Sequence, residues 1–169
     1  ADNSGAFPNS SNSGAVFARV IGSGMDVVDR LSKLTTHKLF DYSYLTQAPM
    51  LQLDNKVTAD DLVQIKRIYR YPGGMDEFNQ YGIAYKPVSQ QVLQSVVCFT
   101  TNIGEMCFKL YPEDAPGTVA NFLKYVNRGS YDGTFIHRLA TNFVLQGGGY
   151  SLQNGTAVKV TADAPIANE

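Results

Sequence analysis

The sequence predicts a mainly β domain with two α-helices. At 169 residues the chain is long enough for one domain with a substantial core. Short runs of β-branched and aromatic residues recur between turn signals, which is typical of strands. Two stretches, residues 25–34 and 116–126, instead show the three- and four-residue apolar spacing of amphipathic helices.

Composition excludes several classes of partner. Hydrophobic residues make up 44% of the chain and charged residues only 17%, and the formal net charge of -1 argues against binding to nucleic acid or to anionic membranes. No apolar run has the length of a membrane span, and residues 1–14 lack the charged and apolar regions of an export signal. Because Asn, Ser, Thr and Tyr supply much of the polarity, we expect a periplasmic or extracellular protein, and otherwise a cytoplasmic one.

The first part of the chain contains two strands and a helix. Residues 16–21 alternate as a strand does and are interrupted by Gly22-Ser23-Gly24. Ser23 and Asp26 fit a capping box ahead of the helix at 25–34. Residues 35–55 are irregular, a strand with one solvent-facing side follows at 62–71, and Pro72-Gly73-Gly74 opens a predicted linker at 72–95.

Residues 96–110 have the pattern of a hairpin that turns at Asn102 and Ile103. In that register Cys98 and Cys107 lie equally far from the turn and face each other across the strands. They are either a cross-strand disulfide, which would indicate an oxidising compartment, or two small buried hydrophobic residues. No Cys or His spacing fits a metal site, so none is expected.

The remaining elements follow in order to the end of the chain. Pro116 opens the second helix and Gly129 ends it. Two strands are predicted within residues 131–150, followed by a Gly-rich bend at 147–149 and a weak strand at 157–161. Three glycines can form a phosphate cradle, but no Lys-Ser/Thr pair or helix follows them.

The candidate site lies in residues 131–150, YDGTFIHRLATNFVLQGGGY. The pattern predicts that a strand fixes the guanidinium of Arg138 beside an exposed aromatic ring, Phe143, and an amide, Gln146. This combination suits binding a peptide. The competing interpretations are a surface salt bridge for Arg138, ordinary core packing for Phe143 and Val144, and a buried, hydrogen-bonded structural role for His137.

Residues 96–169 resemble the N-terminal half of the cyclophilin family of peptidyl-prolyl isomerases. The resemblance rests on motifs in fixed order: TNIGE, APGTVANFLKYV, YDGTFIHR, NFVLQGGG and PIANE. Residues 1–34 look like the family's C-terminal half, and residues 62–71 are similar to its final strand. The halves are therefore inverted, with 1–71 as the C-terminal half, 72–95 as linker and 96–169 as the N-terminal half. Two origins fit this order: a circular permutation, or a window across two tandem domains. In both, the family's central segment is absent.

The resemblance implies a closed antiparallel β-barrel capped by the two helices and a peptidyl-prolyl cis-trans isomerase acting on proline-containing peptides or unfolded proteins. Arg138 would be the catalytic residue, Phe143 and Val144 would hold the proline ring, and Gln146 would fix the flanking backbone. Phe7 would replace a leucine of the family's groove. No cofactor or metal is implied. The family's Phe before His-Arg is Ile136 here, and Phe135 is expected on the opposite strand face.

A different class of function also fits the sequence. The chain is then a catalytically weak structural or binding module that belongs to a multi-copy assembly. Without the central strands, open sheet edges would invite pairing with other copies of the chain.

Overall fold

The computed structural model describes residues 16–39, 45–52, 56–71, 96–167 and 169. The predicted linker at 72–95 and Phe7 lie outside these ranges. The strands are β1 (Ala18–Ile21), β2 (Thr36–His37), β3 (Ala48–Pro49), β4 (Gln64–Arg70), β5 (Val96–Thr101), β6 (Gly104–Leu110), β7 (Thr134–Ala140), β8 (Val144–Gln153) and β9 (Thr156–Lys159). The helices are α1 (Gly24–Ser32), α2 (Pro116–Asn127) and a short 3-10 helix, Ala59–Asp61. The mainly β architecture with two α-helices is confirmed.

Seven strands form one antiparallel sheet in the order β1-β6-β5-β4-β7-β8-β9. The two parts of the chain interleave in this sheet. β1 lies beside β6, and β4 lies between β5 and β7, so both strands from the first part pair with strands from the second. The described residues on either side of 72–95 therefore share one structure.

Strand β4 is the main connection between the two parts. Its Ile65 pairs with Thr101 of β5 and with Thr134 of β7. The Asn102 side chain adds a link, because its Nδ2 donates to the Leu62 carbonyl at 2.8 Å and its Oδ1 accepts from the Gln64 amide at 3.1 Å. The hairpin turn at Asn102 is thus fastened to the beginning of β4.

The predicted closed barrel is not formed by the described strands. β1 and β9 are the two ends of the sheet, and no pairing joins them within the described ranges. Closure of a barrel requires every strand to have two neighbours, and each of these edges has only one. The correction is therefore an antiparallel sheet with two open edges.

Helix α1 packs its buried Val27 and Leu31 into the main core. The capping box predicted for Ser23 and Asp26 is wrong, because Ser23 makes no side-chain cap bond and only its carbonyl accepts from the Asp26 amide, at 3.0 Å. A Cβ on Gly24 would lie 2.7 Å from Val20 Cγ1. The helix therefore begins on a glycine because it starts in close contact with β1.

Helix α2 begins at Pro116, as predicted, and is capped from the end of the chain. The Glu169 carboxylate accepts hydrogen bonds from the amides of Gly117 at 3.0 Å and Thr118 at 2.8 Å. These first-turn amides have no partner within the helix. The two bonds lower the pKa of Glu169 below its ordinary value.

The described core contains a main cluster, a smaller one on the other side of β7, and a third that consists of Ile21, Val96 and Cys98. The main cluster contains Val27, Leu31, Val63, Ile65, Ile68, Val97, Met106, Leu110, Val119, Val126 and Ile136. The smaller cluster contains Leu39, Leu45, Ala48, Met50, Leu62 and Phe135. Phe135 and Ile136 thus lie in different clusters, as expected for neighbours on opposite strand faces. The smaller cluster also explains how the irregular stretch around β2 and β3 is held against the sheet.

In the second part of the chain, the predicted hairpin is confirmed and the predicted glycine-rich bend is wrong. The hairpin of β5 and β6 turns at Asn102 and Ile103, and a disulfide joins Cys98 to Cys107 in that register. The Gly-rich bend predicted at 147–149 is wrong, because β8 continues through these glycines to Gln153. The reversal instead occurs at Asn154-Gly155, where both residues have positive φ (50° and 76°), as a type I′ turn requires.

In the described ranges, neither α-helix has the length or the apolar content needed to cross a membrane.

Candidate functional site

Strands β7 and β8 bring Arg138 and Gln146 together as a cross-strand pair. Arg138 Nη1 lies 3.4 Å from Gln146 Oε1, and the Arg138 side chain is half-buried while Gln146 is exposed. The register between the two strands shifts between Ile136 and Arg138. Such an irregularity re-aims the side chain that follows it.

Phe143 lies in the connection between the two strands and is 68% exposed. The Arg138 Cζ atom is 5.6 Å from the centre of its ring, within the range of a cation–π contact. Asn142, with φ of 58°, supplies the left-handed residue that this tight connection needs. Core packing is therefore excluded for Phe143, whose ring faces solvent beside the guanidinium.

Val144 begins β8 directly after Phe143. It pairs with Ala140 of β7 and is half-buried. Its side chain is accordingly neither part of the buried core nor fully exposed. Val144 thus continues the partly apolar surface that starts at Phe143.

A further side chain reaches Arg138 from the first part of the chain. Arg138 Nε donates to Gln47 Oε1 at 3.2 Å, the shorter of the two contacts with the guanidinium. The backbones are aligned as well, because Gln47 and Arg138 form an isolated parallel bridge and the Leu139 amide donates to the Gln47 carbonyl at 2.8 Å. Sequence reasoning missed Gln47, since it lies 91 residues from Arg138 in a stretch without periodicity.

The guanidinium is held by amide oxygens and not by a carboxylate. Among the residues that the structure describes, Arg138 forms no ion pair, so the salt-bridge interpretation is wrong for this part of the molecule. Its Nη2 atom donates no hydrogen bond within the same residues. The guanidinium of Arg138 therefore lies next to an exposed aromatic ring and retains N–H groups that can donate to a ligand.

His137 is half-buried on the strand between Ile136 and Arg138, and its ring packs edge-on against Tyr150 with 5.0 Å between centroids. We predicted a buried, hydrogen-bonded histidine; the ring is half-buried, and its Nδ1 atom has no hydrogen-bond partner among the described residues. Burial lowers the pKa of His137 below 6.5, and the charge of Arg138 adds to this, while the Phe135 backbone acts in the opposite direction. The imidazole is therefore neutral at neutral pH.

Two of the three glycines of β8, Gly147 and Gly148, serve close packing. A Cβ on Gly147 would lie 2.6 Å from Ile136 Cδ1, and one on Gly148 would lie 2.8 Å from Tyr131 Cδ1. Neighbouring side chains thus occupy the space beside these residues. This accounts for the glycines without a phosphate cradle.

One grouping of potential metal ligands occurs in the described ranges, and it is distant in the fold from Arg138. The ligand atoms of Cys98, Glu105 and Cys107 lie within 4.8 Å of one another. Because the two sulfur atoms are bonded to each other, they cannot bind an ion as thiolates. The two cysteines of this grouping therefore supply no thiolate ligands for a metal ion.

One mainly apolar concavity among the described residues does not include the predicted site residues. A cavity of about 640 Å³ is lined mainly by apolar side chains of β1, β5, β6, β7 and β8, among them Val20, Phe99 and Ile136. Val16 and Met25 also line it and are 54% and 40% exposed. Arg138, Phe143, Val144 and Gln146 instead form a separate surface group, and Phe7 lies outside the described residues.

The second part of the chain is similar to known proteins. Residues 96–169 match the family model described as "Cyclophilin type peptidyl-prolyl cis-trans isomerase/CLD". Peptidyl-prolyl cis-trans isomerase B of Escherichia coli (strain K12) is 42% identical over 74 residues, which cover 44% of this chain and 43% of the relative. Peptidyl-prolyl cis-trans isomerase cyp18 of Streptomyces antibioticus is 42% identical over 77 residues, again 44% and 43%.

A third relative, peptidyl-prolyl cis-trans isomerase A of Dickeya dadantii (strain 3937), is 37% identical over 86 residues, covering 51% of this chain and 44% of the relative. The chain thus spans less than half the length of the relatives it matches. No solved structure matches. Arg138, Phe143, Val144 and Gln146 all lie within residues 96–169, the part of the chain that is similar to this family.

Proposed function

We propose that this protein is a peptidyl-prolyl cis-trans isomerase that acts on X-Pro bonds in peptides and unfolded proteins and thereby assists folding. The observation that carries the proposal is the group formed by Arg138, Gln146 and the exposed ring of Phe143. The match of residues 96–169 to relatives named as such isomerases supports it.

The reaction needs no nucleophile, metal or cofactor. Rotation about an X-Pro bond is slow because resonance gives the amide a barrier of about 18–20 kcal/mol, so that exchange takes roughly tens of seconds. A catalyst has only to bind the twisted amide more tightly than either planar form. In the twisted state the proline nitrogen loses conjugation and becomes a hydrogen-bond acceptor, which a fixed donor can stabilise.

Arg138 supplies that donor in our proposal. Its guanidinium is permanently charged, and its position is fixed by amide oxygens that accept hydrogen bonds without neutralising it. Phe143 and Val144 would hold the proline ring, and Gln146 would bind the flanking backbone. Phe7 keeps its proposed role as a further apolar contact with the substrate.

A protease-coupled assay on a peptide with one X-Pro bond tests the proposal. Arg138→Ala should lower kcat/KM by about 10²–10³-fold, the usual cost of removing one transition-state donor. Arg67→Ala is the matched control, since Arg67 is an exposed strand arginine on β4 that contacts the ring of Tyr69. Wild-type turnover that survives in Arg138→Ala would rule out the catalytic role.

We also propose that residues 1–71 and 96–169 correspond to the C-terminal and N-terminal halves of a cyclophilin-like domain, joined by 72–95. The shared sheet supports this, because β1 and β4 of the first part each pair with strands of the second part within it. Both origins remain compatible with that arrangement: a permuted chain, and a window across two tandem domains. In either case the closed barrel would require further strands between β9 and β1.

A second candidate function is a binding module that pairs with other copies of the chain. It is favoured by the edges of β1 and β9, which pair with no further strand among the described residues. Val16 and Met25, which are exposed and line the apolar cavity, favour it as well. Light scattering after size exclusion tests it. If copies associate here, Met25→Lys should shift an oligomer towards monomer, and Leu51→Lys, an exposed apolar position elsewhere, should not. A monomer at all concentrations would exclude this candidate.

Finally, we propose that the chain functions in an oxidising compartment, the periplasm or the extracellular space. The disulfide between Cys98 and Cys107 supports the proposal. The test is alkylation of protein taken directly from its host. Thiols that react without prior reduction would indicate a reducing, cytoplasmic location.

A further inference from the structure

Backbone hydrogen bonds hold the segment that carries Gln47 on both sides of that residue. On the N-terminal side the Leu39 amide donates to the Leu45 carbonyl at 2.7 Å. β3 follows Gln47 immediately and pairs with β2, the Met50 amide donates to the Thr35 carbonyl at 3.0 Å, and the Leu51 amide donates to the Asp61 carbonyl at 2.8 Å. Ala48, Pro49 and Met50 are buried. The backbone of Gln47 is therefore held before any substrate arrives.

The side chain of Gln47 makes the closer of the two contacts with the Arg138 guanidinium. Its Oε1 accepts from Nε at 3.2 Å, whereas Gln146 Oε1 lies 3.4 Å from Nη1. A guanidinium only donates, so the amide oxygen of Gln47 must face it. Because Nε is the inner nitrogen of the planar fork, a bond to it limits rotation of the group. Nη1 contacts Gln146, and Nη2 makes no hydrogen bond among the described residues.

We infer that Gln47 is a positioning residue for Arg138: it orients the guanidinium for the X-Pro bond without touching the substrate itself. This inference rests on the isomerase function proposed above. It assigns a role to the otherwise irregular stretch at 45–52, which comes from the part of the chain outside the cyclophilin-type match. The site is then built by both parts of the chain.

An amide suits this role better than a carboxylate would. Gln47 is half-buried, and an amide oxygen accepts from Nε while leaving the positive charge of Arg138 uncompensated. A glutamate at this position would form an ion pair and draw the guanidinium towards itself. Gln47→Glu should therefore retain the orientation but weaken donation to the substrate.

Kinetics give the first test, on the full chain. We expect Gln47→Ala to lower kcat roughly fivefold with little change in KM, because only the orientation of a transition-state donor is lost. In the Arg138→Ala background the same substitution should have no further effect, since Gln47 acts through Arg138. Gln153→Ala, which removes an exposed glutamine whose side chain donates to Ser151, is the matched control.

A second readout does not depend on turnover. In proton–nitrogen NMR spectra the Arg138 Nε–H signal, identified by its loss in Arg138→Lys, should shift in Gln47→Ala and exchange at least threefold faster with water. The Gln153→Ala variant should leave the signal in place. Thermal unfolding of each variant shows whether the fold is intact.

These readouts separate the two proposals. If the wild type has no isomerase activity but the Nε–H signal responds to Gln47→Ala, the proposed function fails and the contact that orients Arg138 stands. If the signal is unchanged, or if Gln47→Ala lowers activity equally with and without Arg138, the positioning role is overturned.

Discussion

Some neighbours of Arg138 could be predicted from the sequence, and one could not. Its place on a strand, with Phe143 and Gln146 nearby, could be predicted because the spacing of two short strands and their connection fixes which side chains meet. The contact with Gln47 could not be predicted, since it depends on the packing of a distant, aperiodic segment. The local sequence pattern therefore identifies the donor, Arg138, but not Gln47, which we infer to orient it.

His137 gives a residue-scale prediction about pH. Its pKa is lowered in the folded state, first by burial, so the unfolded chain binds a proton more readily. Stability is therefore complete above about pH 6.5 and decreases as pH falls from there through the lowered pKa of the folded protein. We expect His137→Phe to abolish this part of the decrease.

Thermal unfolding of both proteins between pH 7.5 and 5 measures the effect. Between pH 7.5 and 8.5 the histidine is neutral in both states, and the difference in Tm between the two proteins should be constant. Parallel curves over the acidic range would show that His137 does not contribute.

At the scale of elements, the hairpin of β5 and β6 and helix α2 are where the sequence indicates, because turn residues and a helical apolar stripe mark them locally. The glycines of β8 led to the wrong prediction of a bend, because glycine is common in turns but here allows close packing inside a strand. The capping box at α1 failed for a similar reason: contact with β1 decides how that helix begins.

Gly148 gives a prediction for β8. It has φ of 77°, and a Cβ there would meet the Tyr131 ring at 2.8 Å, whereas Gly133, with φ of 73°, has nothing within 4 Å of such a Cβ. Gly133→Ala should therefore cost only backbone strain, roughly 1–2 kcal/mol of unfolding free energy. Gly148→Ala should cost roughly 2–4 kcal/mol, because overpacking adds to the strain.

Urea unfolding of the two variants measures both losses of unfolding free energy. Equal losses would mean that the Tyr131 ring moves aside freely and that only the backbone conformation requires glycine at position 148.

On the scale of the whole molecule, the interleaved sheet implies that neither part of the chain is complete alone. β4 has neighbours from the second part on both sides, and β1 pairs with β6. Which strands would be neighbours across residues 72–95 was not evident from periodicity. The family resemblance indicated only which half of a cyclophilin-like domain each part resembles. The resemblance also predicted barrel closure, which the described strands do not achieve.

Cleavage of the chain between its two parts tests this interdependence. With a protease site placed within residues 72–95, the nicked protein should still elute as one species of the intact mass, 18.5 kDa. Because the disulfide joins two residues of the second part, the fragments should separate in denaturant without reductant. Separation under native conditions would contradict the shared sheet.

The most direct test of the central claim is magnetisation-exchange NMR on a peptide with one X-Pro bond, with wild type and Arg138→Lys compared at equal catalytic concentration. Lysine keeps the charge but lacks the planar fork that Gln47 and Gln146 hold. We predict clear cis–trans exchange peaks with the wild type and exchange at least roughly tenfold slower with Arg138→Lys. Equal exchange with both proteins, or none with the wild type, would contradict the account.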